Sequence, residues 1–311
     1  GEPAKAMAMI DRATGAVRRH DTANGKIGAR MSYVTALANY QVGKLDVGDV
    51  ALDHVMKFQR LSSHWLLQVA QADALYAAGA IGERAADNLY SYVLREPTSA
   101  DWVVQPREAL VFQTTPHPLP MEHWFQVVMQ RKEFERGIEI SDRIRRHRFY
   151  STLPMGGRLL ALRWVLAAPE DAISPKALLQ RQDLLNNYPK YVPVAQRAQM
   201  ISQQLKQLPI VAEEGEQFQQ RQQLYAQLAS VSMTQEIMMR EMALQGDAAQ
   251  FCYPRIRDIK ALQQVIPKGQ LVLAFLATSR GMLVFAMDSK KYEYWQLAST
   301  GKITLEMKNL L

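Results

Sequence analysis

Cysteine is almost missing from this chain: there is one, Cys252, among 311 residues. A single thiol forms no intramolecular disulfide and builds no cysteine-rich zinc site; such usage fits a reducing compartment, so a cytoplasmic location is expected. Long apolar runs are missing too. The longest, residues 271–277, covers seven positions, far short of the ~20 that a bilayer-spanning helix needs, and no membrane span is expected. Glycine and proline, at 16 and 14 residues, are too few for a collagen-like or low-complexity chain. What is plentiful is apolar surface. A 48% hydrophobic and 22% charged composition is that of a globular protein, long enough for one large domain or two ordinary ones. The net charge of +7 favours acidic partners in general and names none. The chain opens on Gly1 without a methionine or an apolar leader, so Gly1 is read as a processing scar.

The first two-thirds read as helix after helix. Helices are expected over 4–20, 27–42 and 46–58, the last with Asp46 as its N-cap and Asp49 and Asp53 near its positive end. Residues 62–78 place Leu66, Val69, Leu75 and Tyr76 at mixed three- and four-residue spacings, the mark of a buried helical face. A short Gly79–Gly82 turn leads to a partner helix over 83–94. Tyr76, Ala85, Leu89 and Pro97 stand where a tetratricopeptide repeat puts its aromatic, small, bulky and proline positions. A second hairpin is readable over 121–147, with Trp124, Val128, Phe134, Gly137 and Ile144 in comparable roles. Ala85 and Gly137 are 52 residues apart, against ~34 for a strict repeat, because a proline-rich stretch over 97–120 intervenes. Further helices are expected over 156–168, 175–187, 193–208 and 212–245, with Glu213, Glu214 and Glu216 opening the last.

After Gly246 the pattern changes to strands. Residues 271–277 and 282–287 are apolar runs of strand length, and Tyr292, Tyr294 and Trp295 mark a third strand over 292–297. Residues 303–311 read as the start of a helix. The expected fold class is therefore mainly α: an irregular helical-hairpin, tetratricopeptide-repeat-like array over 1–250, followed by a small antiparallel β segment over 251–311. Three strands do not cover a sheet by themselves. They either pack on the helices or open a sheet that a longer chain completes.

Leu262, Pro267, Gly269 and the two strands after them, behind a helical-repeat region, resemble the entry to a CHAT domain, a caspase-like domain commonly attached to tetratricopeptide repeats. The resemblance covers residues 255–311 and implies only the opening strands of a caspase-type α/β sheet. Enzymatic members of that family are cysteine peptidases with a His–Cys dyad carried by later strands. Neither position is matched here: Cys252 precedes the strands and all six histidines precede residue 148. The resemblance thus implies no catalytic residue in this chain.

The residues themselves offer little other chemistry. Gly25–Gly28 lacks the spacing of a phosphate loop, and neither a serine elbow nor a His-Glu-x-x-His helix occurs. No cofactor is expected and no metal site, since His54, His64, His117 and His123 read as packed or solvated, and Asp46, Asp49 and Asp53 as helix-dipole partners. The richest charged feature is Arg143, Arg145, Arg146 and Arg148, with Arg158 and Arg163 following Gly156 and Gly157. These six form the candidate site for an anion or an acidic partner, beside the ordinary reading as a solvated helix face. Phe149 and Tyr150 add a possible base-stacking pair, although nucleic acid is the weaker reading. Trp65, Trp102, Trp124 and Trp164, and Met238, Met239 and Met242, read as core, with an adaptable methionine surface as the alternative.

Three functions follow. The first is a non-catalytic protein-interaction scaffold, or the regulatory region of a larger CHAT-like protein, with a protein, a peptide or the remainder of its own longer chain as partner. The second is the N-terminal part of a caspase-like cysteine peptidase whose dyad lies beyond Leu311. The third is an adaptor for an anionic ligand or nucleic acid using the arginine run.

Overall fold

A computed structural model describes residues 2–17, 20–209, 215–244, 258–297 and 301–302. Cys252, Glu213, Glu214, the 303–311 segment and the first positions of the CHAT-like stretch lie outside the described residues. The protein is mainly α-helical with one small antiparallel sheet, and its contacts divide it into two compact units that interleave along the chain.

The first unit gathers Gly1–Ser63, Pro97–Val111 and Pro154–Tyr253. It holds α1 (Pro3–Ala16), α2 (His20–Ala23), α3 (Lys26–Gln41), α4 (Leu45–Ser62) and α7 (Ser99–Val104), then α11 (Arg158–Ala167), α12 (Pro175–Asn187), α13 (Tyr191–Gln207) and α14 (Glu216–Leu244). Helix α8 (Pro106–Thr114) begins in this unit and ends in the other. Helices α3 and α4 form a close hairpin, because Gly48 of α4 leaves the space that the ring of Tyr40 fills. Asp46 is in the first turn of α4 and does not cap it; the cap position is Lys44. Asp49 instead accepts the Tyr40 hydroxyl at 2.6 Å and pairs with Arg240 of α14. Burial and this bond to a carboxylate push the Tyr40 phenol well above its ordinary pKa. Helices α13 and α14 pair through Ile201, Leu224 and Val231.

The second unit gathers His64–Glu96, Phe112–Leu153 and Pro254–Leu311. It contains α5 (His64–Ala77), α6 (Glu83–Val93), α9 (Pro118–Gln130), α10 (Phe134–Thr152) and α15 (Ile259–Val265), with strands β1 (Val272–Thr278), β2 (Gly281–Met287) and β3 (Tyr292–Leu297). Two helical hairpins, α5–α6 and α9–α10, meet through α6 and α9. Ala86 and Tyr90 of α6 are fully buried there, whereas Ala85 is exposed, so the expected repeat register is off by one position. Gly137 holds the place expected of it: a Cβ there would stand 2.6 Å from Met129 Sδ.

The sheet is a meander in the order β1-β2-β3. Its inner face sends Leu276, Phe285 and Met287 into the same core as Trp124, Phe125, Ile138 and Ile144. A partition at residue 250, drawn by secondary-structure content, therefore differs from the partition by contacts: the strands share a core with residues of α5, α6, α8, α9, α10 and α15. That is the physical outcome for a three-stranded sheet, which needs a covering layer. The residues 97–120, read as a proline-rich interruption, carry α7 and α8. Thr98 opens α7 with a capping box to Asp101, a local signal that the prolines masked.

Met239 and Met242 are buried, and so are Trp102 and Trp124. Trp164 is not core: it is 56% exposed on α11.

Both hairpin turns of the second unit end their first helix on a left-handed residue, Gly79 at φ +66° and Lys132 at φ +62°. In each, the backbone donates back into the helix, Gly79 N to Tyr76 O at 2.9 Å and Lys132 N to Met129 O at 3.1 Å. Glycine enters that region without penalty; lysine does not. Replacing Lys132→Gly is expected to stabilise the protein by about 0.5–1 kcal/mol in urea unfolding, and a loss of stability would contradict this account of the turn.

Candidate functional site

The six arginines do not form one site. Arg143, Arg145, Arg146 and Arg148 belong to α10 in the second unit, Arg158 and Arg163 to α11 in the first. On α10 each has a partner in its own unit. Arg143 lies over the Trp124 ring at 5.2 Å and donates to Leu94 O at 3.4 Å, and burial lowers its pKa. Arg145 pairs with Asp142 at 3.4 Å and Arg146 with Glu96 at 3.1 Å. Arg148 donates to Ala277 O at 2.8 Å and to Glu122 Oε1 at 3.0 Å. The other Glu122 oxygen accepts Ser279 N at 2.8 Å, so one buried carboxylate joins α9, α10 and the β1–β2 turn. Arg158 is buried at 1% exposure, its guanidinium 4.0 Å above the Trp102 ring, while Arg163 is exposed. Phe149 and Tyr150 stack edge to face on one another.

Three histidine clusters are brought together that sequence spacing does not reveal. His123 Nδ1 is 2.7 Å from Asp73 Oδ1, which also accepts the Tyr90 hydroxyl at 2.8 Å. Burial, then this bond, raises the Tyr90 pKa. The pair has the base-and-orienter half of a nucleophilic site, yet among the described residues no serine or cysteine bonds the other imidazole nitrogen. His54 bonds Ser32 Oγ at 2.9 Å and Asn24 Oδ1 at 3.3 Å. That order of groups is nucleophile, base and orienter, but Ser32 sits mid-helix on α3, where the neighbouring backbone amides are taken up by the helix ladder. It is a tie between helices α3 and α4. The third cluster is a buried column in which Trp65 stacks on Phe112 at 4.5 Å, Phe112 meets His117 at 4.8 Å, and His117 stacks on His147 at 5.0 Å. Burial, and next the neighbouring His147, push the His117 pKa down to about 3, against a bond to the Phe112 carbonyl that raises it. Burial lowers His147 as well. No group of three or more His, Cys, Asp or Glu among the described residues is placed to hold a metal ion.

The surface that stands out is the outer face of the sheet. Pairing register places Phe275, Val284 and Trp295 in one row across the three strands. Phe275 is 51% exposed and Trp295 47%, with Leu273 at 52% in the next row. Among the described residues β1 has a strand on one side only, and so has β3. Sequence reasoning saw β1 as an apolar run and left its faces undistinguished; the usable signal is that a run apolar at odd and even positions alike asks for cover on both sides. On the outer side Leu273, Phe275 and Trp295 stay about half exposed, while Val284 and Ala286 of the central strand are buried.

Comparison with protein-family models, with curated proteins and with solved structures found no match. No helix among the described residues is long and apolar enough to cross a membrane.

Two outcomes follow from this geometry. An unfolded imidazole protonates near pH 6.5 while folded His117 resists until about pH 3, so stability is intact at pH 7 and falls as pH drops through that window. One such histidine costs about 2 kcal/mol at pH 5, and His117→Phe is expected to flatten the slope of urea stability against pH. Removing the shared carboxylate with Glu122→Ala breaks its bonds to the Ser279 amide and the Arg148 guanidinium and is expected to cost about 1–3 kcal/mol by the same measurement.

Proposed function

We propose that this chain is a non-catalytic protein-interaction scaffold, the regulatory region of a larger CHAT-like protein, and that its sheet takes an extended segment of a protein partner. The observation that carries the reading is that β1 is apolar on both faces, with Leu273 and Phe275 open outward and an unpaired edge beside them among the described residues. An added strand satisfies the edge N–H and C=O groups through main-chain hydrogen bonds, and its alternate side chains cover Leu273 and Phe275. Residues 258–297 hold five basic and three acidic side chains, which favours an occupant acidic at its ends. The helical hairpins behind the sheet hold the inner face rigid through Phe285, so little ordering is required of the scaffold on binding.

The test is selection from a displayed library of nine-residue peptides, followed by fluorescence anisotropy on the peptides selected. Enrichment of sequences apolar at alternate positions with acidic ends is expected. A proline at a central, edge-facing position of a selected peptide removes one ladder donor and is expected to abolish binding. Phe275→Glu is expected to weaken binding at least about tenfold while leaving unfolding stability within about 0.5 kcal/mol, since its side chain is half exposed. Absence of any enriched sequence, or unchanged binding by Phe275→Glu, overturns the proposal.

A further inference from the structure

The first unit contains a cleft of about 560 Å³ at the corner where α7 turns into α8 beside α3 and α4. Arg30 and Arg107 both line it, together with Tyr33, Gln59 and the exposed Val104. The two cations have no carboxylate partner among the described residues. This contrasts with Arg145, Arg146 and Arg148 of α10, each of which has one. An acid is present in the same cleft, and it is already engaged: Glu108 accepts from Gln59 Nε2 and from Ser63 Oγ at 2.7 Å. Arg107 is held with its guanidinium 5.7 Å from the Tyr33 ring centroid, and the Tyr33 hydroxyl donates to Leu244 O at 3.0 Å, which fixes the ring as a wall. Two arginines lining one concave site raise the local concentration of an anion there. Their planar geometry matches two oxygens of one head group.

From this arrangement we infer that the cleft binds an organic oxyanion, a carboxylate or phosphate head on an apolar body, with Arg30 and Arg107 on the head and Tyr33 and Val104 against the body. The volume lies within the range of small-ligand sites, about 300–1,000 Å³. The head can come from a free small molecule or from the terminal carboxylate of a peptide, and the two sources share this chemistry. The inference stands apart from the sheet and survives a negative result there.

The experiment titrates the full chain with phenyl phosphate, 4-phenylbutyrate, the neutral 4-phenylbutanol, and a leucine-ending pentapeptide with free or amidated C-terminus. Binding is followed by calorimetry and by the thermal midpoint. Saturable binding of at least one anion below about 10 mM, at least roughly tenfold tighter than the neutral alcohol, is expected. Arg107→Ala and Arg30→Ala are each expected to weaken it at least roughly tenfold, with Arg107→Lys intermediate, and to leave the thermal midpoint of the unliganded chain unchanged. Preference for the free over the amidated peptide assigns the source to a chain terminus; preference for phenyl phosphate or 4-phenylbutyrate assigns it to a small molecule. Equal binding of the neutral alcohol, no saturable binding of any anion, or an Arg30→Ala/Arg107→Ala double variant that binds as well as the parent overturns the inference.

Discussion

The second unit depends on the burial of α9. This helix touches α5, α6 and α10, and its Phe125 meets Phe285 of the sheet edge to face at 6.2 Å. Glu122 and Trp124 of this helix are buried and His123 is half-buried, and an unpaired buried polar group costs about 1–3 kcal/mol. Three consecutive residues meet that constraint. Glu122 reaches Arg148 and the β-turn, His123 reaches Asp73 of α5, and Trp124 Nε1 reaches Asp87 of α6 at 2.9 Å. Successive helix residues diverge by about 100°, so three in a row address α10 and the sheet, α5, and α6 in turn. The apolar core supplies most of the driving force, and these polar links restrict which rotation of α9 satisfies it.

That arrangement explains why the arginine run is spent on the molecule itself. In the sequence, Arg143 to Arg148 is a local cluster, and local clusters of one charge read as solvated faces or ligand sites. Their partners are remote: Glu122 lies 26 residues before Arg148, and Glu96 50 residues before Arg146. No periodicity within α10 contains that information. The converse holds for Arg30 and Arg107, isolated in the sequence and 77 residues apart, which folding brings to one cleft.

The secondary structure was far more legible. The expected helix over 175–187 coincides with α12, and the strand over 292–297 with β3, because Ser174 caps the first and alternating aromatics mark the second. Sequence pattern and structure part where two signals compete. Prolines at 97, 106, 116, 118 and 120 suggested a break, but Pro106 and Pro118 stand at helix starts, where a missing N–H costs nothing. Ala85 and Ala86 are equally small, and only packing decides that the second faces the core. Likewise Trp164 has the composition of a core residue and the exposure of a surface one.

The interleaving of the two units bears on how the hairpins are held together. The chain completes α5 and α6, leaves for Pro97–Val111 in the other unit, and returns to build α9 and α10. A tandem array that stacks by short connections has no such excursion, and its neighbouring repeats join through local contacts. Here the packing of α6 against the second hairpin must be specified by contacts between elements that are distant along the chain, namely Trp124 of α9 and Arg136 of α10 on Asp87. Asp87 is 3% exposed and accepts from both, one bond per oxygen. A buried carboxylate with each oxygen occupied by a different partner fixes rotation as well as distance, which apolar surfaces alone do not. The polar side chains, rather than a repeating apolar motif, therefore set the register between the hairpins.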